Sequence, residues 1–317
     1  MRKAALLYNP DSGGSKQRQR ELESALAILR AGAVDANLVP TDSPVHAIEE
    51  TRRAIDSGCD TIFACGGDGT IHNIVQVLAN SPVALAILPM GTANALAHDI
   101  KLPFNVAAAA EASLQATPRR IALGRVAFSD LHGDHGTRYF VVAAGIGVDA
   151  HLFYKLHTGT KQRMGMAAYY AKAWHLWFSY AMPRFVIEYI ETGSVAPGRA
   201  EVTELLAVRI RNFGGVVQEL APGASLDRDD MRLVFSRTAS RLGYLAYVTR
   251  GLLRLRWSVP GIDLVHSPSV SCEYGPPTAT SPEQRKIYVE ADGELLGTLP
   301  AEITAVPNAL TLLAPNR

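Results

Sequence analysis

TIFACGGDGTIHNIVQVLA, Thr61 to Ala79, decides the fold of this chain. Thr61-Ile62-Phe63-Ala64 is a short apolar run of strand length, and from Ile71 onward Ile71, Ile74, Val75 and Leu78 fall at helical spacing. Between them stands Gly66-Gly67-Asp68-Gly69-Thr70, a junction of glycines around one carboxylate. The same order recurs on either side: Ala4–Tyr8 then Gln17–Ala31, Ala36–Val39 then Val45–Ser57, Ala84–Leu88 then Ala93–Asp99. Strands alternating with helices of this length predict an α/β domain with a parallel sheet over residues 1–124. After Gly124 the pattern changes to short β-type runs, Tyr139–Ala143, Phe185–Tyr189, Leu205–Ile210, Met231–Phe235 and Lys286–Glu290. Residues 125–301 therefore read as an antiparallel, β-rich second domain, with a C-terminal segment, about 302–317, returning to the first. Helices are expected at about Met164–Tyr180 and Ser240–Trp257, and a loop at Ser267–Glu283, where Pro268, Pro276, Pro277 and Pro282 sit among polar residues.

Composition narrows the function. Lys+Arg number 31 against Asp+Glu 30, and hydrophobic residues make up 48%, so the chain is globular and lacks the excess positive charge of a nucleic-acid binder. Cys59, Cys65 and Cys272 have no paired spacing, which suits buried thiols in a reducing compartment better than disulfides or a zinc knuckle. Met1-Arg2-Lys3 is followed by an apolar run that meets Asn9-Pro10 too soon for a secretory leader, and no run approaches the roughly 18 apolar residues that span a bilayer. The expected location is the cytoplasm.

Each glycine-rich piece of the first domain follows an expected strand, which places it at the carboxyl edge of the sheet, where such folds bind ligands. Three loops share that edge: Asn9-Pro10-Asp11-Ser12-Gly13-Gly14, Gly66 to Thr70, and Pro89-Met90-Gly91-Thr92-Ala93-Asn94, with Thr41 after the second strand. Glycine lets backbone N–H groups approach phosphate oxygens, and the helix expected from Ile71 adds a field that favours an anion. A carboxylate inside such a cradle repels phosphate unless a divalent cation or a proton in transfer lies between them, so Asp68 points to metal–nucleotide chemistry. Gly-Gly-Asp-Gly alone is also a good tight turn; the companion loops favour the phosphate reading. His132-Gly133-Asp134-His135 holds two potential ligands but stands between β-type runs and reads as a hairpin loop.

Together with Gly145-Ile146-Gly147-Val148-Asp149-Ala150 and Asp292-Gly293-Glu294, these loops make the chain resemble the diacylglycerol kinase catalytic-domain family, which includes bacterial lipid kinases and sphingosine kinases. The resemblance implies a first domain like those of phosphofructokinase and NAD kinase, a β-sandwich second domain, and ATP and Mg2+ bound between them. It implies nucleotide contacts from Asn9, Pro10, Ser12, Gly13, Thr41, Gly66, Gly67, Asp68, Gly69, Thr70, Ile71, His72, Gly91, Thr92 and Asn94. Asp68 would organise magnesium, and Asp229 and Asp230 would hold a second, structural ion. Glu294 falls where similar bacterial enzymes place the proton acceptor for the lipid hydroxyl, with Asp292 close enough to share the role. Asp292-Gly293 is equally a strong hairpin signal. Two departures stand out: His72-Asn73 where relatives commonly have a glutamate at the second position, and Asn94-Ala95 where many have a second aspartate.

The implied reaction is transfer of the γ-phosphate of ATP to a hydroxyl of diacylglycerol or a similar neutral lipid. The basic and aromatic residues of Ser240–Trp257 and Met164–Tyr180 would rest on an anionic bilayer, making the protein peripheral at the membrane, or else cover the β-domain with arginines at the rim. A second copy of the chain is a candidate partner; nucleic acid is not. The rival readings are a kinase of a soluble acceptor, as in NAD kinases, and a nucleotide-binding regulator without turnover.

Overall fold

The computed structural model describes residues 1–11, 16–147, 150, 182–214, 219–252, 258–275 and 286–315. By internal contacts the chain divides into two units, Met1–Leu123 with Asn212–Val216 and Val306–Arg317, and Gly124–Arg211 with Val217–Ala305.

The first unit alternates β1 (Lys3–Tyr8), α1 (Lys16–Ala31), β2 (Asp35–Pro40), α2 (Pro44–Asp56), β3 (Thr61–Gly66), α3 (Asp68–Leu78) and β4 (Ala84–Pro89), followed by α4 (Ala95–Asp99) and α5 (Val106–Gln115). Its strands lie parallel in the order β2-β1-β3-β4, and residues Thr311 and Leu312 of the last strand pair beside β4. Leu6, Leu7, Ile62, Phe63, Leu85 and Ile87 are buried, as expected of a sheet covered on both faces, and their strands are accordingly near-continuous apolar runs. Helix α1 packs with α5 and α2 with α3, giving the outer two of three layers. Ser43 caps α2, its hydroxyl accepting the His46 N–H at 3.2 Å, and Pro44 opens the first turn.

Two features differ from the sequence expectations. Helix α3 begins at Asp68, three residues before Ile71, because Gly67 adopts an extended conformation and serves as its N-cap. Helix α5 has no counterpart in the sequence reading: Val106-Ala107-Ala108-Ala109-Ala110 lacks the polar–apolar contrast that marks a helix face. Its start is nonetheless encoded, since Asn105 accepts the Ala108 N–H at 3.0 Å.

In the second unit, β7 (Ala143–Ile146), β10 (Glu204–Val208), β11 (Met231–Ser236), β12 (Ile262–Ser267), β14 (Tyr288–Ala291) and the start of β15 (Glu294–Ala314) form one antiparallel sheet in the order β12-β11-β10-β7-β14-β15. A second sheet runs β6-β5-β15-β13-β8-β9, with β5 (Thr117–Ser129), β6 (His135–Phe140), β8 (Phe185–Ile190), β9 (Pro197–Val202) and β13 (Ser269–Tyr274). Strand β15 serves both sheets, pairing with β14 through residues 294–298 and with β13 through residues 301–304. Alternate residues of the two sheets, among them Phe140, Ile146, Phe185, Leu205, Phe235, Cys272, Val289 and Ile303, form one core. This is a β-sandwich.

The expected loop Ser267–Glu283 begins instead as β13, where Val270 and Cys272 alternate into the core. Its first proline precedes the strand, at a position where no ladder N–H is lost, and residues 276–285 lie outside the described residues. The run Tyr139–Ala143 is broken between β6 and β7 at Val141 and Val142. The aromatic helix expected at Met164–Tyr180 lies outside the described residues; of Ser240–Trp257, α6 (Arg241–Leu252) is described. His132 to His135 form the β5–β6 turn, fastened by Asp130, which accepts the N–H groups of His132 and Asp134 at 2.8 Å each. All three cysteines are buried thiols. Among the described residues no helix is long and apolar enough to cross a membrane.

Candidate functional site

The chain leaves β1 toward β2, then returns past it to β3, so the strand order reverses between β1 and β3, the position where open α/β sheets hold ligands. Asn9 at the end of β1 closes a small turn by accepting the Asp11 N–H at 2.8 Å. Thr41, at the end of β2, is buried, and its N–H and hydroxyl both donate to the Tyr8 carbonyl, at 2.8 and 3.2 Å. Ser12, Gly13 and Asp149 lie outside the described residues.

The loops after β3 and β4 are built against each other. A Cβ on Gly91 would stand 2.3 Å from the Gly67 Cα, and one on Gly67 would stand 3.1 Å from the Gly91 Cα. No other residue type fits at position 91. Asn94, buried and left-handed at φ 49°, folds its own loop by accepting the Gly91 N–H at 2.9 Å and donating to the Gly91 carbonyl at 2.8 Å. Asp68, in the first turn of α3, accepts the N–H of Ala95 at 2.9 Å, so one carboxylate ties the start of α3 to the start of α4. Gly66 leaves room for the Thr70 side chain, whose Oγ1 would stand 2.3 Å from an added Cβ. Ile71 and His72 are buried, while Thr92 is exposed.

A cavity of about 320 Å³ opens beside the ends of β1, β3 and β4, lined by Asn9, Pro10, Lys16, Arg18, Cys65 and Met90. Arg18 donates to the Met90 carbonyl. Cations beside glycine loops and the first turn of α3, whose initial N–H groups have no intrahelical acceptor, suit a polyphosphate. Asp68 is the single acidic side chain within the loops after β3 and β4. That donor set suits magnesium, which typically keeps its waters and shares phosphate oxygens with only one or two carboxylates.

In the second unit, Asp292 and Gly293 form the two-residue turn between β14 and β15, with φ of 50° and 83°. Both positive values are what a type I′ hairpin requires. The Asp292 carboxylate accepts the N–H groups of Val141, Val142 and Ala143 at 3.1, 2.9 and 3.2 Å, which accounts for the break between β6 and β7. Glu290, buried in β14, accepts the Gly293 N–H at 2.9 Å from the other side of the turn. The hairpin that presents half-buried Glu294 is thus braced by two carboxylates. With its oxygens committed to backbone N–H groups, Asp292 holds the turn, and Glu294 follows it at the start of β15.

Neither buried Glu290 nor buried Glu204 carries a signal in the sequence, because a carboxylate at an alternating strand position normally faces water. The structure explains the glycines beside them: a Cβ on Gly145 would stand 2.7 Å from Glu290 Oε1, and one on Gly147 2.7 Å from Glu204 Oε2. Asp292→Ala should cost about 3 kcal/mol in urea unfolding, since it strips an acceptor from three N–H groups and puts alanine at positive φ; Asp292→Asn, tolerant of that φ, should cost about half.

Asp230 occupies an ion-pair network. Both its oxygens accept from the Arg228 guanidinium at 2.6 Å, and Oδ2 also accepts from Thr192 Oγ1 at 2.7 Å. A cation at Asp230 would have to displace Arg228, and among the described residues no cluster of metal-ligating side chains forms there. Burial pushes the Asp230 carboxyl up, but Arg228 and Thr192 outweigh it and bring the value from 3.8 to about 2. A depressed carboxyl stabilises the fold above its unfolded value and ceases to do so as pH falls through its folded value. Between about pH 4 and pH 2 the wild type should therefore lose on the order of 1 kcal/mol that Asp230→Asn does not, measured by urea unfolding at stepped pH.

The family model described as the diacylglycerol kinase catalytic domain matches residues 3–126. A diacylglycerol kinase of Staphylococcus aureus (strain MRSA252) is 26% identical over 317 residues, spanning 99% of this chain and 93% of the relative. The crystal structure of a diacylglycerol kinase from Bacillus anthracis str. Sterne superposes with a TM-score of 0.69 at 19% identity, covering 99% of this chain and 96% of that one. Yeast NADH kinase, solved with NADH, gives a TM-score of 0.51 at 9% identity over 100% of this chain and 84% of its own, which relates the two folds. Residues 3–126 thus match the diacylglycerol kinase catalytic domain, and over its whole length the chain is similar to diacylglycerol kinases in sequence and in fold.

Proposed function

We propose that the protein is an ATP- and magnesium-dependent lipid kinase that transfers the γ-phosphate to a hydroxyl of diacylglycerol or a related neutral lipid. The observation that carries this reading is the contact between Gly67 and Gly91 with the Asp68 carboxylate beside it, a cradle that excludes every side chain at position 91 yet retains one acid. The lipid oxygen attacks the γ-phosphorus, Glu294 takes the hydroxyl proton, and the bond to the bridging oxygen breaks to release ADP. Magnesium, when bound, neutralises charge on the transferring phosphoryl group, and Asp68 with the nucleotide's own oxygens would hold it. Backbone N–H groups around Gly66 to Thr70 position the phosphates, with Lys16 and Arg18 as cations on the wall of the cavity beside Cys65 and Met90. The lipid named is that of the relatives; a neutral lipid is met at a surface, so the chain works peripherally at the membrane.

Ala95 favours a second reading. Where many relatives carry a second acid, this chain has alanine at position 95, whose backbone N–H donates to Asp68. A nucleotide-binding regulator without turnover would tolerate that loss. Assaying the purified chain with ATP and magnesium against diacylglycerol in mixed micelles and against soluble acceptors, NAD among them, separates the readings. Transfer that depends on micelles supports the lipid kinase; transfer to soluble acceptors alone, or tight ATP binding with no turnover, excludes it.

A further inference from the structure

Helix α6 holds a guanidinium whose place the phosphoryl-transfer reading does not explain. Arg250 is 6% exposed, and its Nε and Nη2 have no hydrogen-bond partner among the described residues. Buried donors in folded proteins are nearly always paired, and a guanidinium stays charged at any physiological pH. The two unpaired nitrogens form one edge of the planar fork, the edge that meets two oxygens of an oxyanion side by side. The Arg250 guanidinium carbon stacks 4.6 Å over the ring of Tyr247, which is 2% exposed and fixed by donating its hydroxyl to the Leu220 carbonyl. The fork is therefore held in place.

A second cation borders the same tyrosine. Arg232, on β11, has its Nε buried without a partner, and burial draws its guanidinium below the ordinary arginine value, offset in part by Tyr247, Asp230 and Glu191. The loop before β11 passes close by: a Cβ on Gly223 would stand 3.8 Å from Arg232 Nε and 3.1 Å from His266 Nε2. The carboxylates nearby in sequence are engaged elsewhere, Asp230 with Arg228 and Glu219 with Arg211 at 3.5 Å. Arg250 itself has no ion-pair partner among the described residues, so its charge and two donors are left over.

We propose that Arg250, stacked on Tyr247 and supported by Arg232, is an oxyanion-binding site for a phosphate group, separate from the residues assigned to transfer. A phosphate gives the Nε/Nη2 edge two oxygens at once. The same group reaches the protein either as free phosphate or as the headgroup of an anionic phospholipid.

The direct test is a crystal of the full chain grown with selenate, a phosphate-shaped dianion, and measured at the selenium edge. The expected result is an anomalous peak within hydrogen-bonding reach of Arg250 Nε and Nη2. In solution, Arg250→Lys keeps the charge but loses the fork, and should weaken that part of inorganic phosphate binding roughly tenfold, with an unchanged thermal midpoint as the check on folding. Phosphate held by the glycine loops of the first unit is unaffected by this substitution and drops out of the comparison. Cosedimentation with phosphatidylcholine vesicles, with and without phosphatidylglycerol, then identifies the source. If Arg250→Lys abolishes the preference for the anionic vesicles, the ligand is a headgroup; if that preference is unchanged while phosphate binding falls, it is free phosphate. Ordered water on both nitrogens in the selenate crystals, or phosphate binding equal in wild type and Arg250→Lys, overturns the site.

Discussion

Glu294→Gln should lower phosphoryl transfer by about two to four orders of magnitude while leaving ATP affinity within about a factor of two. Glutamine matches glutamate in size and can still accept a hydrogen bond, but it cannot take the proton of an attacking hydroxyl. The hairpin beneath it is held by Glu290 and Asp292, so the substitution leaves the support of the turn intact. Unfolding in urea should accordingly shift little. Asp292→Asn gives the contrasting pattern, with stability falling and transfer falling only as far as the turn loosens. If Glu294→Gln kept wild-type turnover, the proton would leave through another group and the assignment of the second unit's hairpin would be wrong.

Gly91→Ala should disable the first unit in a different way. Its methyl would lie 2.3 Å from the Gly67 Cα, 3.0 Å from the Gly67 N and 2.7 Å from Asn94 Oδ1. Two of these atoms are backbone at the start of α3, so the loops after β3 and β4 must separate. Overpacking against backbone costs about 3 kcal/mol or more, and displaced phosphate contacts should weaken ATP binding at least tenfold. Calorimetric melting and nucleotide titration measure the two effects. Gly243→Ala in α6 is the control: its added Cβ meets only ordinary contacts from 3.6 Å, and replacing a helical glycine should stabilise by about 0.5–1 kcal/mol.

The first unit was legible because its physics is local. A buried parallel strand is an apolar run and a helix packed on it shows its period, so each strand–helix pair from Ala4 to Asp99 could be read in order. Helix α5 escaped because its alanines have no polar face to contrast with the buried one, and α3 starts earlier than its apolar period shows because Gly67 sets the start and Asp68 occupies the first turn. The β-sandwich was less legible. Strand β13 was hidden by prolines that stand at its ends, and β15 changes sheets partway along, a matter of pairing partners that no single strand's pattern contains.

The candidate site divides in the same way. Gly66 to Thr70, Gly91 and Asn94 could be singled out from their places at strand ends, and the structure adds why they are needed there: a contact between two backbones and an amide that folds its own loop. Asp230 could not be read correctly from an acidic run, because Thr192 and His266 reach it only in three dimensions and nothing in the run shows that Arg228, two residues away, takes both its oxygens. Glu290 was invisible, and Arg250, expected with the other basic residues of its helix at a bilayer or at the rim of the β-domain, is buried instead, which its neighbours in sequence give no sign of.

The most direct test of the central claim is transfer of label from γ-labelled ATP to diacylglycerol by the purified full-length chain with magnesium. Wild type should yield a labelled phosphate monoester of the lipid, and Glu294→Gln and Asp68→Ala should not. ATP bound at normal affinity with no label passing to any lipid alcohol, in micelles or vesicles, would contradict the account.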